Sequence, residues 1–133
     1  MTRYMLDTDM CSYIIKERPA SVLEHFKKLD MDNICISIVT YAELIDGVER
    51  SSYKRINHAV IKDFTRHLDV IKWEINAAEQ YAVIRTKLEA KGTPIGAMDM
   101  MIAAHAKSLN TILVTNYQKH FTKVTGLKIE NWV

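Results

Sequence analysis

Three acidic residues stand at positions where carboxylates can do chemistry. Asp7 follows directly on the apolar run Tyr4-Met5-Leu6. If that run is a strand, the carboxylate lies at the carboxyl edge of a sheet. Asp99 precedes Ile102, Ala103 and Ala106 by three, four and seven residues, which turns it toward the buried face of a helix that it opens. Glu43 borders the apolar stripe formed by Tyr41, Ala42, Ile45 and Val48. Each acid also has a plainer reading. Asp7, Thr8 or Asp9 can cap the following helix through a side-chain oxygen. An acid in a first helical turn is favoured by the dipole whatever else it does, and a single Glu on a helix is most often a solvated residue.

Taken together the three say more. Carboxylates converging on one cleft repel one another and are costly to hold close without a cation. An all-oxygen ligand set selects magnesium or manganese over zinc. No histidine or cysteine cluster has zinc spacing, since His25, His58, His67, His105 and His120 are scattered, with His105 alone near a candidate site. Magnesium held by carboxylates suits phosphoryl chemistry, and phosphodiester hydrolysis is the reaction this points to. Such a site needs no nucleophilic side chain, in keeping with a chain that has only four glycines and neither a nucleophile elbow nor a phosphate-binding glycine loop. Lys16, Arg18, Arg50, Lys54, Arg55, Arg85 and Lys91 can track a phosphate backbone if the fold gathers them, and otherwise form an ordinary solvated surface. Tyr41, Tyr53 and Tyr81 can stack on bases, although aromatics at helical spacing usually belong to a core.

The elements that must position these groups follow from apolar periodicity. Tyr4–Leu6 reads as a strand and Asp9–Glu17 as a helix. Pro19 opens a second helix with Val22, Leu23 and Phe26 on one face. Ile34–Ile38 is almost wholly apolar and predicts a strand covered on both sides. Helices with one buried stripe are expected over Val39–Arg50 and through Ile56, Val60, Phe64 and Leu68. A brief strand at Val70-Ile71 then leads to a long helix from Ile75 to Lys91, stopped by Gly92-Thr93-Pro94. Ile95–Met98 reads as a loop, Asp99 starts a helix, Thr111–Thr115 makes a strand, and Lys128–Glu130 a small edge strand. Strands alternating with helices give an α/β fold: a central, mainly parallel sheet with helices on both sides. In such folds the site lies beyond the carboxyl ends of the strands, where strand order reverses.

At 133 residues the chain fits one domain, residues 1–133, able to bury roughly 68% of its unfolded surface. A formal charge of +2 neither requires nor excludes nucleic acid. Cys11 and Cys35 lie among apolar neighbours and read as buried free thiols, pointing to a reducing, cytoplasmic setting. The start lacks the apolar stretch of ~7 to 15 residues of a signal peptide, and no run approaches the ~18 of a membrane helix.

Four segments then combine. Met5-Leu6-Asp7-Thr8-Asp9, Thr40-Tyr41-Ala42-Glu43-Leu44, Gly92-Thr93-Pro94-Ile95-Gly96 with Asp99 and Ile102-Ala103-Ala104-His105-Ala106, and Leu113-Val114-Thr115-Asn116 with Phe121 resemble, in order and spacing, the VapC toxins of the PIN-domain family. The resemblance covers nearly the whole chain, to Glu130-Asn131-Trp132. It implies a PIN-like fold, a magnesium-dependent endoribonuclease in which manganese can substitute, a VapB-type antitoxin as partner, and a homodimer. Asp7 and Asp99 match the family's metal-binding acids, Glu43 matches the third acid, and Thr8 and Asn116 fall beside them. The group that this chain most resembles is associated with cleavage of initiator tRNA in the anticodon region. Two positions depart from the pattern: Asp9 stands where Asn is common, and Tyr117 where many members carry Asp or Asn.

Two other readings differ in their observable consequences. Asp7-Thr8-Asp9 also has the spacing of a haloacid-dehalogenase-like phosphatase, which predicts a trapped aspartyl-phosphate, although Cys11 stands where that motif usually continues with Thr. A PIN-like scaffold that binds RNA or an antitoxin without cutting predicts RNA binding with no metal-dependent cleavage.

Overall fold

The computed structural model describes residues 2–133; Met1 lies outside the described residues. Five short strands form one sheet: β1 (Tyr4–Leu6), β2 (Ile34–Ser37), β3 (Asp69–Ile71), β4 (Ile112–Val114) and β5 (Lys128–Glu130). Their spatial order is β3-β2-β1-β4-β5, and every neighbouring pair is parallel. The mainly parallel sheet expected from the sequence is thus wholly parallel. The chain builds outward from β1 through β2 to β3, then crosses back to place β4 on the other side of β1. The order reverses between β1 and β4, which opens a crevice at the carboxyl ends of these two strands.

Pleating sends alternate residues of each strand to opposite faces. Met5, Cys35 and Leu113 pack with Ile84 and Leu88 of α5 (Ile75–Ala90), and with Met100, Ile102 and Ala103 of α6 (Ala97–Ser108). Leu6, Ile34, Ile36 and Val114 pack on the other face. There they meet Met10 and Ile14 of α1 (Thr8–Lys16), Val22 of α2 (Ala20–Lys28), Leu44 and Val48 of α3 (Ile38–Glu49) and Ile61 of α4 (Lys54–Thr65). Helices therefore cover both faces, the arrangement that parallel crossovers impose. Cys11 and Cys35 are buried free thiols whose pKa values burial pushes up, Cys35 to about 11.

Three local expectations change. Ile38 belongs to α3 rather than β2, because the Ser37 hydroxyl accepts from the Val39 N–H at 3.0 Å and turns the strand into a helix one residue earlier. The helix expected from Asp99 starts at Ala97: Gly96 supplies the carbonyl for the Met100 N–H at 2.9 Å, so Asp99 occupies the third helical position and does not open the helix. The apolar stripe of α4 is only partly buried, since this helix rests on α3 through Ile61 while Ile56 is 64% and Val60 39% exposed. A single-turn helix, α7 (Gln118–Phe121), lacks any periodic signal and was not expected.

Trp132 is 1% exposed and closes the fold: its ring stacks on His25 at 5.6 Å and its indole N–H donates to Glu130 at 2.8 Å. Among the described residues no helix is long and apolar enough to cross a membrane.

Candidate active site

Asp7 is the first residue beyond β1, the central strand, and its backbone N–H still donates to the Val114 carbonyl at 3.1 Å. It both caps α1 and faces the crevice. Its Oδ1 accepts from the Met10 N–H at 2.9 Å, and the Thr115 side chain lies close enough to the same carboxyl group to lower its pKa. Both favour the charged form, yet only 4% of the residue is exposed, and burial outweighs them. With the negative charges of Asp9 and Asp99 added, the carboxyl pKa rises from 3.8 to about 6. The capping role is seen directly, and a carboxylate still has lone pairs to spare after one cap bond.

Asp99 reaches the crevice from the first turn of α6 and is half-buried. A Cβ at Gly96 would lie 4.0 Å from the Asp99 Oδ2, so the glycine leaves room beside the carboxylate. Burial raises the Asp99 pKa, the positive charge of His120 opposes this, and Asp9 adds to it. Asp7, Asp9 and Asp99 thus form one mutually repelling acidic group.

Glu43 sits differently. Its Oε1 accepts from the Thr8 hydroxyl, a bond that joins α3 to α1. It lines a cleft of about 450 Å³ running between α1, α3 and α4 past Ser12, Gly47 and Asn57. The fold therefore brings Asp7, Asp99 and Asp9 into electrostatic contact, with Glu43 and Thr8 at the adjoining cleft. Among the described residues no three acids, histidines or cysteines converge as a ready-made ligand cage.

Asn116, just beyond β4, is held as an amide: its Oδ1 accepts from Asn131 at 3.1 Å and its Nδ2 donates to the Tyr13 hydroxyl at 3.4 Å. The two positions that depart from the family pattern lie near each other, since Asp9 raises the pKa of the Tyr117 phenol.

Thr115, Asp9 and His120 were not among the expected site residues. Thr115 becomes legible once β1 and β4 are paired, because the register Leu6↔Val114 sets it opposite Asp7. The expectation for histidine is reversed. His120 is the imidazole near the acids, whereas the buried His105 turns away, its Nδ1 lying 2.7 Å from the Ser37 Oγ. Desolvation lowers the His105 pKa and favours the neutral ring.

Most of the basic residues do not gather at the crevice. Arg50 pairs with Asp46 at 3.0 Å, Lys54 with Glu49 at 3.9 Å and Arg85 with Glu89 at 3.6 Å. Lys16 alone lines the cleft beside Glu43. Tyr81 packs edge-on against Trp73 at 6.1 Å, the core role usual at helical spacing.

Residues 4–127 match the PIN domain. The chain is 44% identical over 132 residues to the tRNA(fMet)-specific endonuclease VapC of Shigella flexneri, covering 99% of both chains. It is 41% identical over 133 residues to the ribonuclease VapC2 of Haemophilus influenzae, covering 100% of both. The solved structure of DNA-bound VapBC from Salmonella typhimurium contains a chain that superposes with a TM-score of 0.93 at 40% identity, covering 100% of both. An acidic crevice at the switch point of a five-stranded parallel sheet and this agreement over the full length lead to one conclusion: the chain belongs to the PIN-domain family and, within it, to the VapC group.

Proposed function

We propose that this chain is the toxin of a type II toxin–antitoxin pair, an endoribonuclease that hydrolyses RNA phosphodiester bonds with magnesium, for which manganese can substitute. The observation that carries this reading is the placement of Asp7 and Asp99 at the switch-point crevice, where burial raises the pKa of each carboxyl and nearby acidic charge adds to it. A hard cation relieves the cost of ionising them. Asp7 and Asp99 would hold the ion, which when bound neutralises charge growing on the attacked phosphate and makes a water easier to ionise.

The chain's own residues have distinct tasks. The Met10 N–H orients the Asp7 carboxylate, with the Thr115 side chain beside it. Thr8 occupies Oε1 of Glu43, leaving Oε2 to take a proton from the attacking water. Asn116, braced by Asn131 and Tyr13, offers a polar edge to the RNA backbone.

Initiator tRNA is the first substrate to test, because a relative 44% identical over nearly its whole length is named as tRNA(fMet)-specific. A VapB-type antitoxin is the partner, in line with the VapBC complexes formed by chains of this fold. The cleft between α1, α3 and α4, which begins at Glu43 and is flanked by the exposed Val60, offers such a segment an apolar floor leading to the acids. An antitoxin cation placed there would neutralise the acids in the ion's stead.

The test is cleavage of purified initiator tRNA by the isolated chain with magnesium or with chelator, beside Asp99→Asn. Discrete fragments that require both the ion and Asp99 are expected. Cleavage by Asp99→Asn at the wild-type rate would overturn the assignment.

A further inference from the structure

A second cleft, of about 310 Å³, opens beside the acids and is lined by Asn116, Tyr117, Gln118, Lys119, His120 and Asn131. We infer that this cleft is a nucleobase subsite, in which a base next to the attacked phosphate stacks on Tyr117; the inference rests on the ribonuclease reading and names a determinant of its specificity. The rings of Tyr117 and His120 already lie stacked, with centroids 5.6 Å apart and planes 12° from parallel. Tyr117 is nevertheless 46% exposed, so the pair presents an aromatic face to solvent instead of burying it.

The ring is also fixed. Its backbone N–H donates to the Thr115 Oγ1 at 2.9 Å, and one face of the ring is covered by His120. An aromatic side chain immobilised before binding loses little freedom when a base stacks on it. The polar lining matches the rest of a nucleotide. Among the described residues Gln118 has no side-chain hydrogen bond and Lys119 no ion-pair partner, which leaves an amide for a base edge and an ammonium for a phosphate. Position completes the case. The Leu6↔Val114 register sets Thr115 beside Asp7, and the Thr115 Oγ1 accepts from the Tyr117 N–H, so a base on this ring belongs to a nucleotide adjoining the acidic crevice. These six residues include two rings but no aliphatic side chain such as a helical peptide docks on, in contrast to the cleft at α4.

The experiment is fluorescence anisotropy of the full chain with a labelled stem-loop RNA carrying the anticodon-arm sequence of initiator tRNA, in chelator so that nothing is cut. Tyr117→Ala should bind about tenfold more weakly, the scale of one lost base stack, and Tyr117→Phe should keep the affinity because the ring remains. Repeating the titration with a single abasic position moved through the loop should reveal one position that weakens wild type but not Tyr117→Ala, which a merely structural role would not produce. Equal affinity of wild type and Tyr117→Ala, or no binding by wild type, overturns the subsite. If Tyr117→Ala binds RNA normally but releases the antitoxin more readily, the cleft is a protein contact and the inference also falls. Cleavage is read separately with magnesium. Tyr117-dependent affinity in a chain that cuts no RNA sinks the ribonuclease reading alone, and metal-dependent cleavage with Tyr117-independent binding sinks the subsite alone.

Discussion

Replacing Asp7 by Asn should make the ion-free protein more stable at neutral pH, even though it removes a residue placed at the centre of the chemistry. Folding raises this carboxyl's pKa from 3.8 to about 6. Between those values the folded chain holds more protons than the unfolded one, so stability falls as pH rises. Below about pH 4 both states carry the proton and the site costs nothing ionic; above about pH 6 the full cost applies. A shift of about two pH units corresponds to roughly 3 kcal/mol. Asn keeps an oxygen for the Met10 N–H but never ionises, so Asp7→Asn should gain about 2–3 kcal/mol at pH 7.5, or about 10 °C in Tm for a chain of this size. The gain should vanish near pH 4. Thermal melts by circular dichroism across this range, in chelator, would trace the difference between the two proteins, which isolates Asp7 from the similarly perturbed Asp99. Adding magnesium should raise the Tm of wild type and leave the variant nearly unchanged. A stability difference that does not depend on pH, or a variant less stable than wild type at pH 7.5, would refute the claim that burial and neighbouring charge strain this carboxylate.

Three further outcomes follow from the same geometry. Thr115→Val removes a hydroxyl that favours ionised Asp7, so the acid limb of the pH–rate profile for tRNA cleavage should move to higher pH, which initial rates at saturating magnesium would show. Ser37→Ala removes the cap of α3 and strands the buried His105 ring nitrogen; urea titration should give a loss of about 2–3 kcal/mol, combining a helix cap with an unpaired buried group. Trp132→Ala empties a fully buried ring site at the end of the chain and should cost about 3–5 kcal/mol, measured by the same titration.

The parts of the site that could be read from the sequence are those announced by a local pattern. Asp7 ends the run Tyr4-Met5-Leu6 and indeed lies just beyond the central strand. Asp99 could be aimed by its spacing to Ile102 and Ala106, and shifting the helix start to Ala97 does not change that face. Groups that reach the site through pairing or irregular chain were hidden. Thr115 faces Asp7 only because β4 sits beside β1 in a particular register, and His120 rides on a single turn too short to show a period. Strand edges and helix stripes report on burial within one element, whereas the proximity of Tyr117 to Asp9 depends on the loop after β4 meeting the first turn of α1. The exposed Ile56 and Val60 show the converse: a helical stripe says a face is apolar, not that anything in the same chain covers it.

The central place of β1 has a consequence for synthesis. In the sheet β1 is flanked by β2 and β4, and β4 spans Ile112–Val114, far from β1 along the chain. Asp99 and Thr115 leave the ribosome 92 and 108 residues after Asp7, and elongation proceeds at about 5–20 residues per second. A nascent chain lacking β4 has an unpaired edge on β1 and half a site. On the function proposed, the site is complete only once β4 has paired beside β1.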